Sequence, residues 1–211
     1  PEQIISSLQQ AIQVMLDPAD CGPACISLSQ DVQGEIYDYP EEFFRERIHT
    51  IRRPKPDDFQ IKEAAELIKK SNKPIIIAGG GIFYSDATEE LSAFAKKHNI
   101  PVTQTVMGYS SIKKDHSHYL GTIGGLGGKA ANNLSKETDT AIAIGTKLAD
   151  FTTGSWANFE NPKFKLVSIN AARFDANKHM AQAIVGDAKV SLIELSQALG
   201  SWKADDSWHK K

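Results

Sequence analysis

The chain has 211 residues, of which 41% are hydrophobic and 24% charged, and its formal net charge is −2. That length holds one α/β domain and part of another, and the composition is that of a globular protein rather than a disordered or fibrous one. The near-neutral balance excludes the electrostatic footprint of a nucleic-acid or anionic-membrane binder, and no apolar run approaches the ~20 residues that span a bilayer.

The chain begins in a helical pattern, with Ile5, Leu8, Ile12, Met15 and Leu16 on one face. Asp17-Pro18 stops it, because the residue before proline is pushed out of the helical region. Ala24 to Leu28 reads as a strand. One helix and one strand cannot bury a core, so residues 1–40 are expected to be the closing piece of a domain that begins upstream. Cys21 and Cys25 are four apart, which is neither a redox dithiol spacing nor half of a zinc site. They read as buried structural thiols in a reduced, cytoplasmic setting.

Residues 41–56 form a charged linker that ends in Arg53-Pro54-Lys55-Pro56, an extended, helix-excluding stop. A complete unit follows over residues 57–200. Asp57 or Asp58 caps a helix whose buried face is Ile61, Ala64, Ala65 and Ile68. Lys73 to Gly81 is the most telling stretch: an unbroken Ile run, suited to a strand covered on both faces, ends in Gly79, Gly80 and Gly81. Ser85 or Asp86 caps the next helix, with Ala87, Leu91, Phe94 and Ala95 inward. Further strands are expected at 101–105, 140–144, 165–169 and 183–185, with a long loop at 106–128, a short helix near 129–135 and a closing helix with Ala188, Leu192, Leu195 and Leu199 inward. Strands alternating with helices predict an α/β fold: a doubly wound, Rossmann-like parallel sheet of five or six strands. Residues 201–211 are polar and aperiodic and read as a linker to something further.

Ligands of such sheets bind beyond the carboxyl ends of the strands. Gly79 to Gly81, Gly145-Thr146, Asn170 and Gly186-Asp187 all fall there. Uncovered glycine amides at a helix start favour anions, but the same triplet serves equally as a tight turn. Gly124, Gly125, Gly127 and Gly128 form a second glycine loop, in which Gly125, Gly127 and Ala130 match the dinucleotide fingerprint in spacing alone, since they do not follow the first strand. Lys147 and Asp150 are either a solvated pair or the wall of a cleft. His116 and His118 lack the further ligands a metal needs and read as solvated loop residues. There is no Ser-His-Asp set and no G-x-S-x-G elbow.

These pieces together resemble a known family. The order AAELIKKSNKPIIIAGGG, IPVTQT, LGTIGGLGG, DTAIAIGTKLAD, FKLVSIN and AIVGDAK is similar to the central domain of thiamine-diphosphate enzymes, and GPACISLSQDVQGE resembles the end of their pyrimidine-binding domain. Ser29 to Glu35, Tyr37-Asp38-Tyr39, Phe43-Phe44 and Arg47-Ile48-His49 most resemble the trihydroxycyclohexanedione hydrolases of myo-inositol catabolism. The resemblance implies a hydrolase that uses thiamine diphosphate and magnesium to break the carbon–carbon bond between the carbonyls of a cyclic dione. It implies a cytoplasmic homo-oligomer, dimer or tetramer, whose pyrimidine- and pyrophosphate-binding domains lie outside this chain. Residues 1–40 would close the first of these domains and 201–211 would lead to the second. The activating glutamate lies upstream in the family, and Gly186-Asp187-Ala188 lacks the third glycine of the magnesium motif, so no catalytic residue and no metal ligand falls in this chain.

The same comparison makes Gly79, Gly80, Gly81, Gly124, Gly125, Gly127, Gly128, Thr146 and Asn170 a vestigial nucleotide cleft. Flavin-binding relatives carry an acidic pair where this chain has Asn170-Ala171, and Thr146-Lys147 replaces the Ala-Arg of many acetohydroxyacid synthases. Both departures argue against FAD or NAD. The competing readings are an FAD-binding synthase-like enzyme and a stand-alone nucleotide module. Tyr109, Ser110 and Ser111 lie in a loop that approaches the active-site mouth in the family.

Overall fold

The computed structural model describes residues 1–209 and divides them into two compact units, Pro1–Arg52 and Arg53 onward. The first unit holds helix α1, Ile4–Leu16. Asp17 ends it by turning its carboxylate onto the amides of Ala19 and Asp20, 2.8 and 2.7 Å away. Single 3-10 turns follow at Val32–Gly34 and Glu41–Phe44. Tyr37, Tyr39, Phe43 and Phe44 form a small aromatic cluster, in which the rings of Tyr39 and Phe43 stack at 5.4 Å. Two expectations are corrected here. Residues 24–28 form no strand, since nothing in this unit offers them a ladder of hydrogen bonds. Cys21 and Cys25 are exposed rather than buried, because this unit has no buried residue and so no interior to hide a thiol.

The second unit is a parallel sheet between two helical layers. Its elements in chain order are α2 Asp58–Lys69, β1 Pro74–Ala78, α3 Gly81–Tyr84, α4 Thr88–His98, β2 Val102–Gln104, β3 Tyr119–Thr122, α5 Lys129–Glu137 and β4 Thr140–Ile144. They continue with α6 Asp150–Thr153, β5 Lys165–Asn170, α7 Arg173–Ala176, β6 Gln182–Val185, α8 Ala188–Leu199 and α9 Asp206–His209. The six strands described run in the order β3-β2-β1-β4-β5-β6, all parallel. Ile76 and Ala78 point into one core with Ile61, Ile68, Leu91, Phe94, Leu192 and Leu195. Ile75 and Ile77 point into the other with Ile123, Leu134 and Ala141. This two-sided burial is why β1 reads as continuous Ile rather than as an alternation.

Asp57 caps α2 as expected, accepting from the Phe59 amide at 2.8 Å. The cap of α4 differs: Ala87 takes that position with no side-chain bond, while Asp86 adopts φ 51°. Ser85 is turned elsewhere, and its hydroxyl accepts from the Ala188 amide at 3.2 Å. The long loop after β2 contains a strand, β3, that the sequence reading leaves as loop. The segment after residue 200 also departs from the expected linker. Ala204 and Trp208 are buried, and the Trp208 indole donates to the Pro74 carbonyl at 2.8 Å. Lys210 and Lys211, the end of that linker, lie outside the described residues.

Candidate functional site

The strand order reverses between β1 and β4, so the crevice such a sheet offers a ligand should open at their carboxyl ends. Here the two crossover loops close on each other. Gly79 donates to Ile144 O at 2.8 Å, and Gly81 donates to Gly145 O at 2.9 Å. A Cβ on Gly79 would stand 2.3 Å from Gly145 O and 2.6 Å from Thr146 Cβ. One on Gly81 would stand 2.5 Å from Gly145 Cα, and Gly145 itself sits at φ 60°. Gly80 faces the Met107 backbone, 3.2 Å from its would-be Cβ. Gly108 completes the contact, its would-be Cβ only 2.2 Å from Ala78 O. The glycines let the backbone of the loop after β1 meet that of the loop after β4.

Asn170 stands next to this contact and joins three elements. Its Nδ2 donates to Thr146 O at 3.3 Å, and its Oδ1 accepts from the Ala172 amide at 3.0 Å. The side chain ties the end of β5 to the loop after β4 and opens the turn into α7. Gly79, Gly80, Gly81, Thr146 and Asn170 are thus brought together.

The second glycine loop has its own framework. Gly124 takes φ 98°, and its would-be Cβ lies 2.1 Å from Phe151 O. The amides of Gly125, Gly127 and Gly128 donate to Phe151 O, Gly124 O and Thr122 O at 2.8, 2.8 and 2.9 Å. The Gly124 amide goes to Asn132 Oδ1 at 2.9 Å, and Asn132 Nδ2 returns to Gly124 O at 3.0 Å. These contacts fix Gly124, Gly125, Gly127 and Gly128 to α5 and α6, with no hydrogen bond to the Gly79–Gly81 turn. Asn132, which the sequence reading passes over, organises this loop; an Asn eight residues after a glycine is a signal only once the loop geometry is known.

The remaining candidates are placed plainly. Asp187 is the N-cap of α8, accepting from the amides of Lys189 and Val190, and it pairs with Arg53. Lys147 reaches Asp175 at 3.8 Å, and Asp150 opens α6 as an exposed residue. His118 is buried rather than solvated: its Nε2 lies 3.0 Å from Asn99 Oδ1 and its Nδ1 2.9 Å from Ser117 Oγ. Burial follows from β3, which begins one residue later and draws the loop onto the sheet. Tyr109 is exposed, Ser110 donates its amide to Gln104 Oε1 at 3.0 Å, and Ser111 is fully buried. Among the described residues no group of three or more His, Cys, Asp or Glu is placed to hold a metal ion, and no helix is long and apolar enough to cross a membrane.

Around this loop contact the crossover loops expose large apolar side chains. Tyr84 follows β1, Met107 and Tyr109 follow β2, Leu126 follows β3, Phe151 follows β4 and Phe174 follows β5. A monomeric surface seldom gathers so many at one end of a sheet.

Comparison with known proteins agrees with the fold and the sequence pattern. The chain is 45% identical over 208 residues to a 3D-(3,5/4)-trihydroxycyclohexane-1,2-dione hydrolase of Clostridium perfringens, covering 99% of this chain and 33% of the relative. It is 44% identical over 205 residues to the protein of the same name from Bacillus subtilis, covering 97% and 32%. The chain therefore spans about a third of the length of these relatives. The X-ray structure of a putative thiamin diphosphate-dependent enzyme from Mycobacterium smegmatis superposes with a TM-score of 0.74 at 20% identity, over 98% of this chain and 38% of that one, which establishes a shared fold. Residues 61–195, from the first buried turn of α2 to the middle of α8, match the thiamine pyrophosphate enzyme central domain, and the chain belongs to that family.

Proposed function

We propose that this chain is the central, non-catalytic part of a thiamine-diphosphate-dependent hydrolase that opens the ring of trihydroxycyclohexane-1,2-dione in myo-inositol catabolism. The observation that carries this reading is the extent of the identity: 45% over 208 residues, including the first unit, which lies outside the residues matching the central domain. The full-length enzyme would use magnesium and act as a cytoplasmic homo-oligomer. The exposed apolar side chains at the carboxyl end of the sheet support burial against other parts of such an assembly.

Thiamine diphosphate supplies the electron sink for carbon–carbon cleavage when bound. The residues of this chain do not fit that cofactor. Asp187, the carboxylate nearest in pattern to a magnesium ligand, is committed to two amides and to Arg53. The glycine cleft is read as vestigial, with Gly79–Gly81, Thr146 and Asn170 serving to dock crossover loops and FAD and NAD having no place between them. The unit's role is to position its neighbours.

The test is the activity of the full-length protein from which this chain comes. Purified with thiamine diphosphate and magnesium, it should consume the cyclic dione and release a ring-opened acid, and it should be colourless. Condensation of pyruvate by a yellow, flavin-bearing protein would overturn the reading in favour of a synthase.

A further inference from the structure

The segment after α8 crosses the amino-terminal end of the sheet from one face to the other. Trp202 and Ala204 pack with the core that holds Phe94 and Leu195, and Trp208 belongs to the core that holds Ile75 and Ala141. The crossing is held by the Ala204 amide on His98 O at 2.9 Å, by Asn99 Nδ2 on Ala204 O at 3.0 Å, and by the Trp208 indole on Pro74 O at 2.8 Å. A further bond runs through the His98 side chain, which has no exposed surface.

The partners of His98 fix its protonation. Trp202 O, 2.8 Å from Nδ1, can only accept, so Nδ1 carries the proton. Ser196 Oγ is 3.0 Å from Nε2 and already accepts from Lys97 Nζ at 2.9 Å, so its hydrogen is directed at Nε2. Neutral His98 satisfies all of these groups. A second proton would turn the Ser196 bond around and leave a buried cation with no carboxylate partner. The charged groups that act on His98 are Lys97 on its own helix and Lys203 on the crossing segment, both cationic, while α8 presents the neutral Ser196. The nearby carboxylates are engaged elsewhere: Asp205 accepts from Ser207 and Asp206 from Asn99. His118 reaches this network through Asn99 Oδ1, 3.0 Å from its Nε2.

We infer that His98 is a proton-operated latch for the Trp202–Trp208 strap: the neutral ring holds the strap across the amino ends of β1 and β2, and protonation releases it while the sheet stays folded. Burial is the main cause holding the His98 pKa below that of a free histidine, with Lys97 and Lys203 acting in the same direction and the Trp202 carbonyl opposing them. The sign follows. The open strap leaves His98 in water with an ordinary pKa of about 6.5, so the latch holds fully above that pH and weakens as the pH falls from there toward the depressed pKa of the closed state.

The experiment is hydrogen exchange on the 211-residue chain, corrected for the intrinsic dependence of exchange on pH. Opening measured at the amides of Trp202, Ala204 and Trp208 should rise severalfold, up to about fivefold, between pH ~6.5 and ~5.5, with the amides of β1 and β4 unchanged. His98→Gln should hold the strap with no pH response. Equal loosening of strap and sheet, or a pH response that survives in His98→Gln, overturns the latch. If that variant does not fold, the His98 ring resonances of the unaltered chain decide: they must titrate together with strap opening, and separate midpoints overturn the proposal.

Discussion

Arg53 Nη1 lies 3.2 Å from Asp187 Oδ2, joining residues 134 positions apart. The other Asp187 oxygen caps α8 through the amides of Lys189 and Val190, and the same Arg53 nitrogen donates to Ser85 O. The Asp187 amide in turn donates to Pro54 O at 2.8 Å, and a Cβ on Gly186 would stand 2.9 Å from the Pro56 nitrogen. One buried carboxylate thus pins the Arg53–Pro56 connector over the end of the sheet.

Asp187→Ala should lower stability by about 2 kcal/mol, from a lost cap and a lost charge-assisted bond. Arg53→Ala should cost less, about 1 kcal/mol, because its side chain is 34% exposed and solvent screens the pair. Urea denaturation of both variants measures the difference; equal losses would mean that the cap contributes nothing.

The glycines of the closed crevice should be unequal. Gly81→Ala and Gly145→Ala force a methyl group to 2.5 Å from opposing backbone, and each should cost at least about 2 kcal/mol or prevent folding. Gly128→Ala, with nothing within 4 Å of the added carbon, should stay within about 0.5 kcal/mol. Thermal melts rank the three, and tolerance at Gly81 would show that the crevice is open.

Much of this arrangement is legible from residue type, and the exceptions have physical causes. Ile75 to Ile77 announce a strand buried on both faces, and Ala64, Ile68, Leu192 and Leu195 recur at helical spacing. Tyr119-Leu120-Gly121-Thr122 carries no such signal, because an edge strand half covered on every residue shows neither alternation nor a continuous apolar run. Trp202 and Trp208 look like isolated aromatics in a polar tail, since the surfaces they cover, on Pro74 and His98, are remote in sequence. The glycines at the strand ends are legible as positions but not as roles: whether they face a phosphate or another loop depends on Gly145 and Met107, which no local pattern pairs with them.

Asn170→Asp restores the acidic residue that dinucleotide sites place at such a strand end, yet it should not create one. The new carboxylate oxygen would face Thr146 O, 3.3 Å from the atom that now donates to it. The substitution should cost about 1–2 kcal/mol and leave FAD affinity unchanged. A melt and a titration of the same variant check both parts.

The isolated 211-residue chain should not cleave the cyclic dione with thiamine diphosphate and magnesium supplied: among the described residues no group of three or more His, Cys, Asp or Glu is placed to hold a metal ion, and Asp187 is committed to the cap of α8. An assay of dione consumption by a homogeneous preparation checks this, and turnover would place catalytic groups within the chain.

Calorimetric titration of the chain with FAD tests most directly whether the switch-point glycines are spent on backbone contact. With Gly79 and Gly81 donating to Ile144 and Gly145, no heat beyond dilution is expected. A dissociation constant of about 1 μM or tighter, worth roughly 8 kcal/mol, would contradict the closed crevice.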